Sequence, residues 1–202
     1  MINHEYKCIF IHIPRCGGTS IEAMFNIDMW AYDKGKTKHL IASTAKELYK
    51  DYWNSYFKFS IVRNPWDRMV SMRKHHYYYG VNSHSGTIDV SGYIDKFSPR
   101  EIDTRSLSMD DKFSAPIPNA VYANILNEPL DYVGKFEELQ HSIDTICDRI
   151  NKPRELLPLI QKSNNRGHYR QYYDNTSRDV VEQLYLKDIA KYKYTFECSD
   201  EI

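Results

Sequence analysis

The sequence predicts an α/β fold in which a mainly parallel central sheet is flanked by helices. Residues 7–13 form a near-continuous β-rich run, as expected of a strand buried on both faces. The run empties into a proline-led Gly-Gly turn and then an amphipathic helix. A second run, residues 56–62, ends at Arg63 and is again followed by a turn and a helix. Strand–turn–helix occurring twice favours parallel strands joined by helical crossovers. The 202 residues suit a single domain over 1–202.

The first helix keeps Ile21, Met24 and Phe25 on one side, at i, i+3 and i+4. Thr19 with Glu22 fits a capping box and predicts where that helix begins. Thr44 with Glu47 repeats the signature before a short helix carrying Leu48 and Tyr52. After the second strand, Asn64 is the expected N-cap and Pro65 the first helical residue. That helix is predicted to run through Met69, Val70 and Arg73 toward Tyr79. Residues 80–119 are rich in Ser, Asp, Gly and Pro, and read as an irregular cover segment with one short helix near 92–97. Residues 132–136 are a third strand candidate, leading into a helix over 137–150. Pro153 and Pro158 mark the loop beyond it. Thr176 with Asp179 is the expected cap of a last helix, whose Val180, Val181, Leu184, Tyr185 and Ile189 make a core-facing stripe.

Lys+Arg and Asp+Glu both number 27, and the zero net charge argues against a general nucleic-acid binder. Seventeen tyrosines suit a polar, aromatic-lined cleft as well as a core rim. Cys8, Cys16, Cys147 and Cys198 form no C-x-x-C pair, and no His spacing completes a zinc pattern. A reduced, cytoplasmic setting is the simplest expectation. The opening M-I-N-H-E-Y-K is too polar for a signal peptide, and no apolar stretch approaches the roughly 20 residues that span a bilayer. The chain is therefore expected to be soluble and unanchored.

Two constellations carry the chemistry. The first is Pro14, Arg15, Cys16, Gly17, Gly18, Thr19 and Ser20. Two readings are open for it: a tight β-to-α turn with a threonine cap, or a cradle for phosphate or sulfate. The cradle reading rests on unpaired backbone donors meeting the positive end of a helix dipole. It is not a Walker A loop, since G-x-x-x-x-G-K-[ST] does not occur. The second constellation is R-N-P-W-D-R-M-V-S, from Arg63 to Ser71. Arg63 stands at the carboxyl end of a strand, the edge where open α/β sheets bind ligands. A guanidinium and a hydroxyl there suit a second anionic group. The plainer alternative pairs Arg63 with Asp67 and leaves Ser71 to pack.

Together the two segments resemble the PAPS-dependent sulfotransferases, in particular the family of carbohydrate and heparan-type O-sulfotransferases and their bacterial relatives. In that family a P-K-x-G-G-T-S-like loop holds the 5′-phosphosulfate and an R-N-P-x-x-R-x-x-S segment holds the 3′-phosphate. The later segments Y-V-G-K-F-E-E-L (Tyr132 to Leu139), Y-R-Q-Y-Y-D (Tyr169 to Asp174) and Y-K-Y-T-F (Tyr192 to Phe196) are similar in kind and order. The resemblance spans nearly the whole chain, residues 80–119 excepted.

The resemblance implies a P-loop-like three-layer fold, PAPS as sulfuryl donor with PAP as product, and no required metal. It implies a hydroxyl-bearing acceptor, a glycan or small glycosylated molecule, with residues 80–119 covering the acceptor side. No nucleic-acid or membrane partner is expected. Pro14 to Ser20, Arg63 and Ser71 are the implied cofactor-binding residues, and Arg170 is a further candidate for cofactor or acceptor. Arg15 stands where the family usually has Lys; both are cations, but a planar fork replaces a point donor. Arg15 is the implied catalytic cation at the leaving oxygen. His39 lies in the interval where relatives often place a base, and its chemistry suits taking a hydroxyl proton near neutral pH. His12 is expected to be a satisfied core residue, and His75 and His76 surface or acceptor-side groups. Glu137 is expected to favour a helix start and to have no catalytic role. Two alternatives remain at this point: a P-loop nucleotide kinase or NTPase, and a non-catalytic PAP- or glycan-binding module.

Overall fold

The computed structural model describes residues 1–26, 30–31, 38–73, 121–158, 160 and 167–196. In chain order the strands are β1 (Ile2–Asn3), β2 (Cys8–Ile11), β3 (Trp30–Ala31), β4 (Phe57–Val62) and β5 (Tyr132–Lys135). The helices are α1 (Gly18–Met24), α2 (Ala42–Leu48), α3 (Lys50–Trp53), α4 (Pro65–Arg73), α5 (Tyr122–Ile125), α6 (Leu139–Arg149), α7 (Asn175–Leu184) and α8 (Leu186–Tyr192). Short 3-10 turns occupy Phe136–Glu138 and Tyr169–Tyr172.

The strands form one sheet in the order β3-β1-β2-β4-β5. Its heart is parallel, β2 with β4 and β4 with β5. The two-residue strands β1 and β3 add an antiparallel edge. All of β2 is buried, which explains its unbroken apolar sequence, and β4 is buried from Phe59 onward although Lys58 and Ser60 interrupt its apolar run. Phe10 and Phe59 stack across the β2–β4 pair with centroids 4.9 Å apart. Ser60, a polar residue inside this core, donates to the Ile11 carbonyl at 2.7 Å, so its burial leaves no unpaired hydroxyl. Helix α6 packs on β4 and β5 with Ile143, Ile146 and Cys147 inward. Gly134 permits that approach: a Cβ there would lie 2.6 Å from Ser142 Oγ.

The helix starts differ from three sequence expectations. Gly17, with φ of 80°, is the N-cap of α1, and Thr19 lies inside the helix. The glycine takes the left-handed position that a threonine would resist. Ile41 precedes α2, which already contains Thr44, so no Thr44–Glu47 box forms. Asp174 caps α7 in a reciprocal box with Ser177, two residues before the expected Thr176. The expected single last helix breaks at Tyr185 into α7 and α8. Its stripe is nonetheless inward, with Val181 and Tyr185 fully buried. Asn64 caps α4 as expected, its Oδ1 accepting from the Trp66 and Asp67 amides at 3.1 and 3.3 Å. The predicted continuation of α4 toward Tyr79, the cover segment 80–119 with its helix near 92–97, His75, His76 and Cys198 lie outside the described residues.

Candidate functional site

The parallel register sets the site's location. Ile11 stands opposite Ser60, so β2 and β4 end nearly level and the turns that follow them emerge side by side. This is the carboxyl edge of the sheet. Arg15 joins the two turns. Its Nε donates to Ser71 Oγ at 3.0 Å, and its carbonyl accepts from Arg63 Nη1 at 2.9 Å. Arg15 holds φ of 68°, a left-handed backbone unusual for a side chain of its size.

Arg63 is buried and heavily engaged. Its Nε donates to Asp67 Oδ2 at 2.7 Å, Nη2 lies 2.6 Å from the same oxygen, and its guanidinium sits 4.0 Å over the Phe136 ring centroid. The pairing with Asp67 is thus present. Ser71, however, does not merely pack, because it receives Arg15. The two sequence motifs are in contact on one side of the molecule.

The loop residues divide by what they touch. Pro14 offers its carbonyl to Arg68 Nε at 3.1 Å. Cys16 is buried, its Sγ lies 3.7 Å from the Pro14 carbonyl oxygen, and burial pushes its thiol up to about 11. That thiol is protonated at neutral pH and is not a nucleophile. The Ser20 and Ile21 amides bond to the Gly17 carbonyl, whereas those of Gly18 and Thr19 begin the helix and have no intrahelical acceptor. Ser20 is buried and its hydroxyl accepts from the Ile160 amide at 3.2 Å. The glycines are demanded from behind the loop as well: a Cβ at Gly17 would lie 2.8 Å from Leu139 Cδ2, and one at Gly18 would strike the His12 ring.

His39 is partly exposed beside this loop. Its Nδ1 lies 3.0 Å from the His12 carbonyl oxygen, which can only accept. The proton therefore sits on Nδ1, and among the described residues none bonds to the Nε2 lone pair. Burial, then the charges of His12 and Lys38, push the imidazole down to about 3, so it is neutral at neutral pH. His12 is buried as expected, its Nδ1 2.8 Å from Glu22 Oε1. Arg170 is exposed, and its Nε donates to the Phe196 carbonyl at 3.1 Å, tying it to the C-terminal segment.

Two neighbours of the site make contacts that the sequence does not reveal: Arg68, and Glu137, which the sequence presents only as favouring a helix start. Arg68 is fully buried; besides Pro14 it reaches the Tyr185 hydroxyl at 2.8 Å and lies 5.2 Å from the Tyr122 ring centroid. It braces the loop against α7–α8 from within the motif that also holds Arg63. Glu137 accepts from the Asn64 amide at 2.6 Å and from the Tyr194 hydroxyl at 3.0 Å. Burial raises its carboxyl, although both hydrogen bonds and Arg63 act against the rise. It fastens the start of α4 to the C-terminal segment.

Among the described residues, no group of three or more His, Cys, Asp or Glu side chains is placed to hold a metal ion. No helix there is long and apolar enough to cross a membrane. The family model described as "Sulfotransferase family" matches residues 1–195. No curated protein and no solved structure matches the chain significantly.

Proposed function

The chain belongs to the sulfotransferase family, and from that premise we propose that it moves a sulfuryl group from PAPS to a hydroxyl of a carbohydrate acceptor. The observation that carries this reading is Arg15, whose side chain meets Ser71 while its carbonyl meets Arg63. A donor with anionic groups at both ends needs cations and hydroxyls on two adjacent turns, and the chemistry of this donor set fits it.

In this reading Pro14 to Ser20 form the phosphosulfate cradle, with the Gly18 and Thr19 amides aimed at anionic oxygen. Arg15 neutralises charge developing on the leaving oxygen. Arg63 and Ser71 hold the 3′-phosphate and set the register of the sulfur, and Arg170 adds a cation at the rim. His39 takes the acceptor proton on Nε2 as the hydroxyl oxygen attacks in line, and PAP leaves. Its low resting proton affinity rises when the anionic donor lies beside it, since a neighbouring negative charge favours the imidazolium. Positioning and preorganised charge supply most of the acceleration, as they do in phosphoryl transfer. No residue role calls for a metal. Residues 80–119 complete the acceptor side of the single domain, and the protein works in the cytoplasm.

The test is incubation with 35S-labelled PAPS and a panel of hydroxyl-bearing glycans, alongside competitive binding of PAP and ATP. Label transfer, with PAP far ahead of ATP, is the expected result. Tight PAP binding without transfer to any acceptor would favour a non-catalytic binding module. Preference for ATP would favour a P-loop kinase or NTPase.

A further inference from the structure

Behind the loop lies a buried polar cluster that the chemistry above does not use. Glu22, on α1, is 1% exposed. Its Oε1 lies 2.8 Å from His12 Nδ1, and its Oε2 accepts from Lys38 Nζ at 2.8 Å. Burial by itself raises the Glu22 carboxyl, but contacts with His12 and Lys38 overcome it and hold the group ionised. A buried ion pair of this kind is seldom better for stability than apolar side chains of the same volume. Stability therefore does not explain the charge.

Geometry does. Lys38 is the residue before His39, and His12 supplies the carbonyl that holds His39 Nδ1. The His12 ring stacks on Phe10, with centroids 5.2 Å apart and planes 11° apart. It meets the His39 ring edge-on at 4.5 Å and 63°. One carboxylate thus grips both neighbours of the His39 imidazole, one through the chain and one through the ring beneath it. Among the described residues, the charged and titratable groups around His39 are His12 from the end of β2, Glu22 from α1 and Lys38 from its own segment.

We propose that Glu22 is a positioning residue for His39: by clamping Lys38 and the His12 ring, it keeps Nδ1 on the His12 carbonyl and leaves Nε2 open toward the acceptor. The catalytic consequence rests on the reading of His39 as the base; the geometric hold does not.

The experiment uses the full chain with 15N-labelled histidine. Long-range 1H–15N correlation of the imidazoles should show wild-type His39 as a single Nδ1–H tautomer. In Glu22→Gln and in Lys38→Met, the His39 nitrogens should shift toward a tautomer mixture. With PAP affinity kept within about twofold, kcat should fall by about tenfold or more, the scale of a misplaced proton acceptor. Lys38→Arg, which keeps the clamp, should restore both. Lys38 is partly exposed, so its variants test the idea even where Glu22→Gln fails to fold. A single unshifted tautomer in Lys38→Met would overturn the proposal. Normal turnover in His39→Ala would instead overturn the base assignment, and the tautomer reading would still decide the hold.

Discussion

Gly18→Ala isolates the contact between the loop and the histidine beneath it. A Cβ at Gly18 would lie 1.9 Å from His12 Nε2, 2.3 Å from Cδ2 and 2.4 Å from Cε1. Ordinary contact begins near 3.4 Å, so the ring would have to recede by about 1.5 Å. It has little room to do so, being stacked on Phe10 and held by Glu22. Alanine is otherwise the better helix former, by up to about 1 kcal/mol. Overpacking of a tight core typically costs about 1–3 kcal/mol, and an immovable ring puts this case at the upper end. The net expectation is a loss of about 1–2 kcal/mol and a Tm lowered by roughly 2–8 °C for a chain of this size. Circular dichroism melts would read it. The control is His12→Ala, which empties the space: in that background Gly18→Ala should cost nothing, giving a coupling of about 1–2 kcal/mol. A Tm that is unchanged or raised by Gly18→Ala in the wild-type background would refute the reasoning.

Other expectations concern division of labour and pH. Arg63→Ala should weaken PAP binding by about 10- to 100-fold in calorimetry, the value of one charge-assisted contact. His39→Ala should leave that binding nearly intact and abolish turnover in the label-transfer assay. Glu137 binds its proton more tightly folded than unfolded, so its contribution to stability falls as pH rises from its ordinary 4.5 through the raised folded value. Urea unfolding of Glu137→Gln across the acidic range should show that decline removed; an unchanged pH slope would mean the carboxyl is not the group responsible. Asp174→Ala, which deletes the α7 cap, should lower Tm at neutral pH. It should do so less at acidic pH, where the wild-type carboxylate, held below its ordinary value by Ser177, also becomes protonated.

Local signals were legible and long-range ones were not. Strand β2 was readable because burial on both faces demands an unbroken apolar run, and β4 because its aromatic and β-branched residues end at a turn that opens a helix. The Asn64 cap was readable because Pro65 admits few alternatives. Thr19, Thr44 and Thr176 each sit at capping-box spacing, yet each lost to a neighbour: a glycine already left-handed, an extended isoleucine, and an aspartate two residues upstream. The Arg63–Asp67 pair is an i,i+4 neighbour and was visible. The Arg15–Ser71 bond spans 56 positions and follows only from the parallel register of β2 against β4. Arg68 was hidden for the same reason, since its acceptors at Pro14 and Tyr185 belong to other elements. Glu22 looked like half of a helix cap, and its partners His12 and Lys38 come together only in three dimensions.

The left-handed backbone at Arg15 has a consequence for how this turn tolerates change. A residue with a Cβ is less comfortable there than glycine, and such tension usually marks a working position rather than a structural one. Backbone conformation alone would favour glycine there, at the cost of the side-chain bond to Ser71. If Arg15 is the cation of the proposed reaction, robustness and capability pull in opposite directions at one residue, and screens for heat tolerance would drift toward inert proteins.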